Sequence, residues 1–460
     1  MALEINRRLV CACVLVAVLL CALVLLPLPD MSPEAIRAAA LTLFVVVFWA
    51  MESLPGHLTT LTFFILAVVS GVSPNVVFSG FQSGGFWLAF SGMVLGIAIR
   101  RTGLAARLAG AVVGVFGYSY HGLLCGLVLV GLVLMFLMAS GVGRVLLLVP
   151  LAQALAERVG LPKGSPGANG FIMAASLGTL LPAASVLPAN LPNVLLMGTA
   201  GTLYDVTIQY GNYLLFHLPI TGLLKAVAIV VITLYVFPAT TTGSSQVEET
   251  SPLTRQEAML SVVLVMTLGL WLSDGWHGIA PAWIGLGAAV FCLLPPVGFV
   301  PEEAFGQIQF GSLIYMAGII GLGSLVASSG LGDVLGDALL AGIALEPGHD
   351  AYNFAALVGV ATTLGLFTTQ PGVPAVLTPM AADLAHGVGW PIITVLMTQV
   401  IGYSNVILPY QAPALVLAME RSGVRLTAAL RLLIVLAVLT LVVLAPLNYL
   451  WWRLLGYFYP

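Results

Sequence analysis

The sequence predicts an all-α integral membrane protein built from two inverted repeats, and three observations predict it. Of 460 residues, 60% are hydrophobic and only 7% charged, where a soluble domain carries about 25% charged residues. Apolar runs of roughly 20 residues, the length of a helix that crosses a bilayer, recur along the chain. The two halves share a pattern of residues yet carry opposite charge, as two oppositely oriented copies require.

Uninterrupted runs place crossings near residues 9–28, 35–53, 57–73, 86–100, 213–237, 259–273, 282–298, 312–328 and 426–450. The first follows Arg7 and Arg8 and imitates a signal peptide. It is long enough to span and no A-x-A-like cleavage site follows, so segment 1–33 is expected to be a transmembrane helix. Four further stretches are interrupted by small residues and prolines: 122–156 at 139–143, 168–199 around Pro182–Pro192, 351–386 at 368–374, and 390–420 around 405–413. Interrupted spans in matching positions of two halves are the strongest sequence pointer to a transporter's binding site.

The match between halves is explicit. Phe78, Gln82, Gly84, Gly96 and Gly103–Leu104 reappear 227 residues later as Phe305, Gln309, Gly311, Gly323 and Gly330–Leu331, and after two more inserted residues Pro150 aligns with Pro379. Between Gly92 and Lys163 the first half holds Arg100, Arg101, Arg107, Arg144, Arg158 and Lys163. The equivalent stretch, Ile319 to Pro391, holds Asp333, Asp337, Glu346, Asp350 and Asp383 and no lysine or arginine. Because lysine and arginine favour cytoplasmic loops, the repeats 34–237 and 259–460 are expected to be inverted, joined by a cytoplasmic linker at 238–258. That orientation puts the N-terminus, Arg421 and Arg425 in the cytoplasm of a cell or inner membrane protein and Pro460 outside.

Several functions are excluded. A net charge of −3 without a basic tail gives nothing to hold nucleic acid. Cys11, Cys13, Cys21, Cys125 and Cys292 all lie in apolar runs, and Cys11 and Cys13 lack a partner pair or histidine for a metal. The six histidines are dispersed. The chain carries no HExxH, GxSxG, P-loop or paired catalytic carboxylates, and Ser140 has no nearby His or Lys base. An enzyme is not expected.

Particular stretches resemble the divalent anion:sodium symporter family. FWAMESLP (Phe48–Pro55) is similar to its W-x-T-E-A-x-P stretch, and Thr102–Ala109 and Ser329–Gly336 to its T-G-L segments. Pro150 and Pro379 stand where the family has a proline after each hairpin, and NLPNVLLMG (Asn190–Gly198) resembles the loop of its unwound helix. The resemblance implies about eleven spanning helices plus two re-entrant hairpins, an elevator motion, a homodimer, a small anionic substrate and sodium as coupling ion, with no other cofactor. It also implies that each hairpin tip, with the unwound loop after it, forms half of the substrate and cation site. Ten residues before the prolines, Ser140–Gly141–Val142 and Thr369–Gln370–Pro371 stand where the family has Ser-Asn-Thr. Ser140, Gly141, Thr369 and Gln370 are therefore expected near the cation, and these four with Val142, Arg144, Asn193, Asn405 and Gln411 near the substrate. Gln399 is a further amide beside the second loop, Glu52 matches a family position, and Asp383 is a candidate proton relay.

Arg144 raises the sharpest question. A cation deep in an apolar run is a functional candidate by default, and its place near the start of the second half-helix suits a fixed charge that replaces part of the sodium and grips an oxyanion with its planar fork. The alternative is that it snorkels or caps carbonyls between helices. The expected function is secondary transport of dicarboxylates or related small anions, cation-coupled. Two others remain open: a sodium-independent or proton-coupled exchanger or sulfate permease using Arg144, and a non-transporting anion receptor or scaffold.

Overall fold

The computed structural model describes residues 9–18, 31–51, 53–116, 119–241 and 252–459. Among them no strand occurs and the chain is helical almost throughout. Arg7, Arg8, Glu52, Cys21, much of the first crossing and the middle of the linker lie outside the described residues.

The first half opens with α1 (Leu9–Val18), α2 (Pro33–Ala50) and α3 (Gly56–Val69). α4 (Gly84–Thr102) starts where Ser83 accepts a hydrogen bond from the N–H of Phe86 and stops at Gly103, whose φ of +81° ends the helix in the left-handed region that glycine enters without steric cost. α5 (Leu104–Val115) follows. α6 (Tyr120–Leu137) and α7 (Gly141–Arg158) form hairpin 1, parted at Met138–Ser140. α8 (Pro166–Leu180) then unwinds through two 3-10 turns, Pro182–Ser185 and Leu187–Ala189, before α9 (Leu191–Tyr204) resumes. Pro182, Pro188 and Pro192 explain the unwinding, since each removes a backbone donor. α10 (Tyr210–Val236) closes the half and carries a π turn at Leu218–Leu224.

The second half repeats this order. After α11 (Arg255–Leu272) and α12 (Pro281–Leu293), α13 (Phe310–Ser328) gives way at Gly330, φ +76°, to α14 (Leu331–Gly342). Hairpin 2 comprises α15 (Asp350–Gly365) and α16 (Gly372–Val388), and the second broken helix α17 (Ile392–Tyr403) and α18 (Pro413–Ser422) around a 3-10 turn at Pro409–Gln411. α19 (Leu426–Leu454) again contains a π turn, Thr440–Leu444. Both breaks and both unwound loops fall where prolines and small residues predict them. One boundary moves: α11 begins at Arg255, inside the expected linker, because Thr254 and Glu257 form a reciprocal capping box.

Among the described residues six helices are individually long and apolar enough to cross a bilayer, and two bent pairs raise the number to eight. Fewer pass than the eleven expected, partly because Gly56–Val69 and Pro281–Leu293 are apolar but shorter than a full crossing. The two halves are joined by a bidentate ion pair: Arg107 donates from Nε to Glu257 Oε1 at 2.8 Å and from Nη2 to Oε2 at 3.0 Å. This holds α5 against the start of α11.

Hairpin 1 sits tightly on the broken helix. A Cβ on Gly131 of α6 would lie 2.8 Å from the carbonyl carbon of Gly178 in α8, so the backbones approach as closely as small residues allow. Gly131→Val is expected to abolish recovery of monodisperse protein. Gly269→Val, with nothing within 4 Å of its added Cβ, is the control; equal yields of the two variants would contradict this packing.

Candidate functional site

The break in hairpin 1 is capped by Ser140, whose Oγ accepts from the N–H of Gly143 at 3.1 Å. One residue on, Arg144 is 0% exposed. Its guanidinium donates from Nε to Thr179 Oγ1 at 2.8 Å, from Nη2 to the Thr179 carbonyl at 3.1 Å, and from Nη1 to the carbonyls of Ala189 (2.9 Å) and Met138. Met138 ends the first arm of the hairpin, Thr179 lies in the last turn of α8, and Ala189 lies in the unwound loop. Helix ends leave such carbonyls without intrahelical partners, and one guanidinium gathers those of three segments. Its donors point into this carbonyl cage, so the oxyanion grip expected of Arg144 is not the geometry found; carbonyl capping is.

Asn193 braces the same loop. Its Nδ2 donates to the carbonyls of Ala183 (3.2 Å), Ala184 (3.2 Å) and Val186 (2.8 Å), and its Oδ1 accepts from the Tyr403 hydroxyl at 2.7 Å. Tyr403 belongs to α17, so this bond links the two broken helices. Asn193 is fully buried.

At the second tip, Gln370 donates from its backbone N–H to the Gln411 carbonyl at 2.8 Å and from Nε2 to the Tyr403 carbonyl at 3.0 Å. The Gln411 side chain accepts from the N–H groups of Ile407 and Leu408, both at 2.7 Å, and donates to the Gly365 carbonyl at 2.6 Å. Gln370 and Gln411 thus satisfy the broken backbone, as buried irregular chain in a membrane requires. Asn405 is buried and its Nδ2 has no partner among the described residues; Gln399 accepts from Thr378 Oγ1 at 3.0 Å while its own Nε2 is likewise unpartnered. Asp383 is half-buried against Gly336 of α14.

A second buried cation escaped the sequence reading. Lys225, 1% exposed, directs Nζ to the carbonyl and hydroxyl of Ser404 at 2.8 and 3.1 Å. Ser404 caps the C-terminus of α17, where unpaired carbonyls and the helix dipole favour positive charge. Each broken helix therefore has a built-in cation at the carbonyls of its break. The signal existed, since an ionisable residue inside an apolar run is exceptional, but Lys225 follows no interruption in the sequence.

A cavity accompanies each hairpin tip. Beside hairpin 1, a space of about 160 Å³ is lined by Ser140, Val142 and Gly143 together with Arg100, Gln307 and Gln309. Beside hairpin 2, a larger space of about 300 Å³ is lined by Thr368, Thr369 and Gly372 with Trp49, Tyr315 and Tyr410. The first is the more ionic and the second the more aromatic. Gly141 faces Leu180, with room for a Cβ only at 3.0 Å from it. Among the described residues no three of His, Cys, Asp and Glu come together in a metal-holding group.

Broken helices and paired hairpins with cavities at their tips fit a multi-pass membrane transporter. The family described as "Sodium:sulfate symporter transmembrane region" matches residues 7–458, and the chain belongs to it. The chain is similar to the inner membrane protein YbhI of Escherichia coli, 26% identical over 331 residues that cover 69% of each chain. It is also similar to the sodium-dependent dicarboxylate transporter SdcS of Staphylococcus saprophyticus, 22% identical over 68% of this chain and 66% of that one. Among solved structures, the YdaH transporter of Alcanivorax borkumensis shares the fold with a TM-score of 0.60 at 16% identity, over 93% of this chain and 99% of that one.

Proposed function

We propose that this protein carries small carboxylates of the dicarboxylate class across the membrane as a secondary transporter with weak or no sodium dependence. The observation that carries the reading is the Arg144 guanidinium inside the carbonyl cage formed by Met138, Thr179 and Ala189. A carbonyl cage at a hairpin tip attracts a cation, and here the chain supplies one that cannot dissociate. Lys225 at Ser404 does the same for the other half. With both places filled, the loss of asparagine and threonine from both tip motifs has a common reason: ion coordination there is no longer needed.

In this reading the repeats 34–237 and 259–460 are inverted copies, and a transport body containing both hairpins moves against a scaffold within a homodimer. The likeness to a sodium-dependent dicarboxylate transporter supports the substrate class, while the resident cations support exchange or proton coupling over sodium symport.

The test is uptake of labelled succinate, citrate and sulfate into proteoliposomes, each with an inward sodium gradient, a proton gradient, or internal anion alone. Succinate uptake that persists without sodium and rises with internal anion is expected. Strict sodium dependence would overturn the resident-cation reading, and binding without flux under every gradient would make the protein a receptor.

A further inference from the structure

We infer that Arg100, with the amides of Gln307 and Gln309 and the Ser140 hydroxyl, forms a carboxylate-binding subsite in the cavity at the tip of hairpin 1. The inference rests on the transport reading above and names the residue that selects the substrate.

Arg100 lies in the last turn of α4, and among the described residues it has neither an ion pair nor a hydrogen bond. Its side chain is exposed, and its guanidinium lies close against two glycines. A Cβ added to Gly143 would lie 3.1 Å from Arg100 Nη1, and one added to Gly96 would lie 3.6 Å from the same atom. Two glycines thus leave the channel through which the side chain reaches from α4 to the first turn of α7. In that turn Gly143 N–H is taken by Ser140, while the N–H groups of Gly141 and Val142 have no helical acceptor, as at any helix start. The side-chain amides of Gln307 and Gln309, on the turn leading into α13, also form no hydrogen bond among the described residues.

A free cation, free amides, a hydroxyl and a helix N-terminus therefore converge on one space of about 160 Å³. Every one of these groups can donate to an anion, and no carboxylate lines the cavity. The planar guanidinium fork matches the two oxygens of a carboxylate. Because Arg144 is committed to carbonyls, Arg100 is the charge that meets the substrate, and one such charge neutralises one carboxylate end. A bound carboxylate would bridge three segments distant in sequence: α4, hairpin 1 and the entry to α13.

The experiment uses the full chain in detergent with its five native cysteines replaced by alanine and Leu146→Cys, a cavity-lining position, as reporter. The rate of reaction with a charged thiol reagent is measured against increasing succinate, acetate or sulfate. Succinate and acetate should slow labelling, and Arg100→Gln should raise the concentration needed by about 10- to 100-fold, the range for losing a charge-assisted hydrogen bond. Arg100→Lys should fall between, having the charge without the fork, and Arg101→Gln should match the parent. No protection, no labelling even without anion, equal protection in Arg100→Gln, or protection by sulfate alone would each overturn the subsite. Proteoliposome uptake with these variants separates the two proposals: uptake without protection refutes the subsite and keeps transport, and protection without uptake keeps the subsite and refutes transport.

Discussion

Arg144→Gln is expected to cost roughly 3–5 kcal/mol of stability in detergent, because a buried group cut from its partners leaves them unsatisfied. Glutamine can return a donor or two, but it cannot reach the Met138, Thr179 and Ala189 carbonyls and the Thr179 hydroxyl together. Sodium should then restore part of the loss. The vacated carbonyls are hard oxygen donors, and a ligand that binds only the folded state stabilises it by mass action. Thermal unfolding in sodium chloride and in choline chloride of equal ionic strength reads this directly. The parent should be insensitive to the exchange, whereas Arg144→Gln and Arg144→Ala should unfold at higher temperature in sodium. A variant as stable as the parent, or one indifferent to sodium, would remove the resident-cation argument.

Asn193→Ala should cost about 2–3 kcal/mol, since it removes the Nδ2 bonds to the Ala183, Ala184 and Val186 carbonyls, which keep their other donors, and takes the Asn193 acceptor from the buried Tyr403 hydroxyl. The last of these gives a sharper test. Tyr403→Phe alone should cost about 1 kcal/mol as a single lost hydrogen bond. In the Asn193→Ala background it should cost less, because the hydroxyl it removes has already lost its Asn193 acceptor and keeps Tyr213 as a neighbour. A double-mutant cycle by thermal unfolding should therefore return a coupling of about 0.5–3 kcal/mol. Strict additivity would mean that the two broken helices are not linked through this bond.

The residues that interrupt the chain were legible and the residues that fill the interruptions were only partly so. The prolines between 182 and 192 announce a broken helix by local rules, and the structure has it there. What Arg144 faces could not be read, because its partners come from three segments up to 45 residues away and carbonyls leave no trace in a sequence. Arg100 entered the reading only as a charge that orients a loop, since its place in a cavity depends on two glycines, 96 and 143, that lie on different helices. Gln370 and Gln411 were expected beside the substrate, and Gln370 beside the cation as well; in the structure their amides serve the broken backbone. Amide chemistry is identical for a substrate and for a stranded carbonyl, so composition alone could not separate the two.

The π turn in α10 has a consequence for Lys225. A π turn holds one residue more than the α-helix it interrupts, so it rotates everything beyond it by about 100°. Lys225 follows Leu218–Leu224 directly, and its angular phase relative to Tyr213 and His217 is set by that extra residue. Removing one residue from the bulge would straighten α10 without touching the lysine, yet would swing its ammonium away from Ser404 and move another residue into the gap. α19 carries its own bulge at Thr440–Leu444, and Thr221 in the first bulge bonds Asn448, just past the second, at 3.4 Å. The two long helices are thus phased against each other, and where this transporter keeps its second cation is decided by an inserted residue in the helix as much as by the lysine itself.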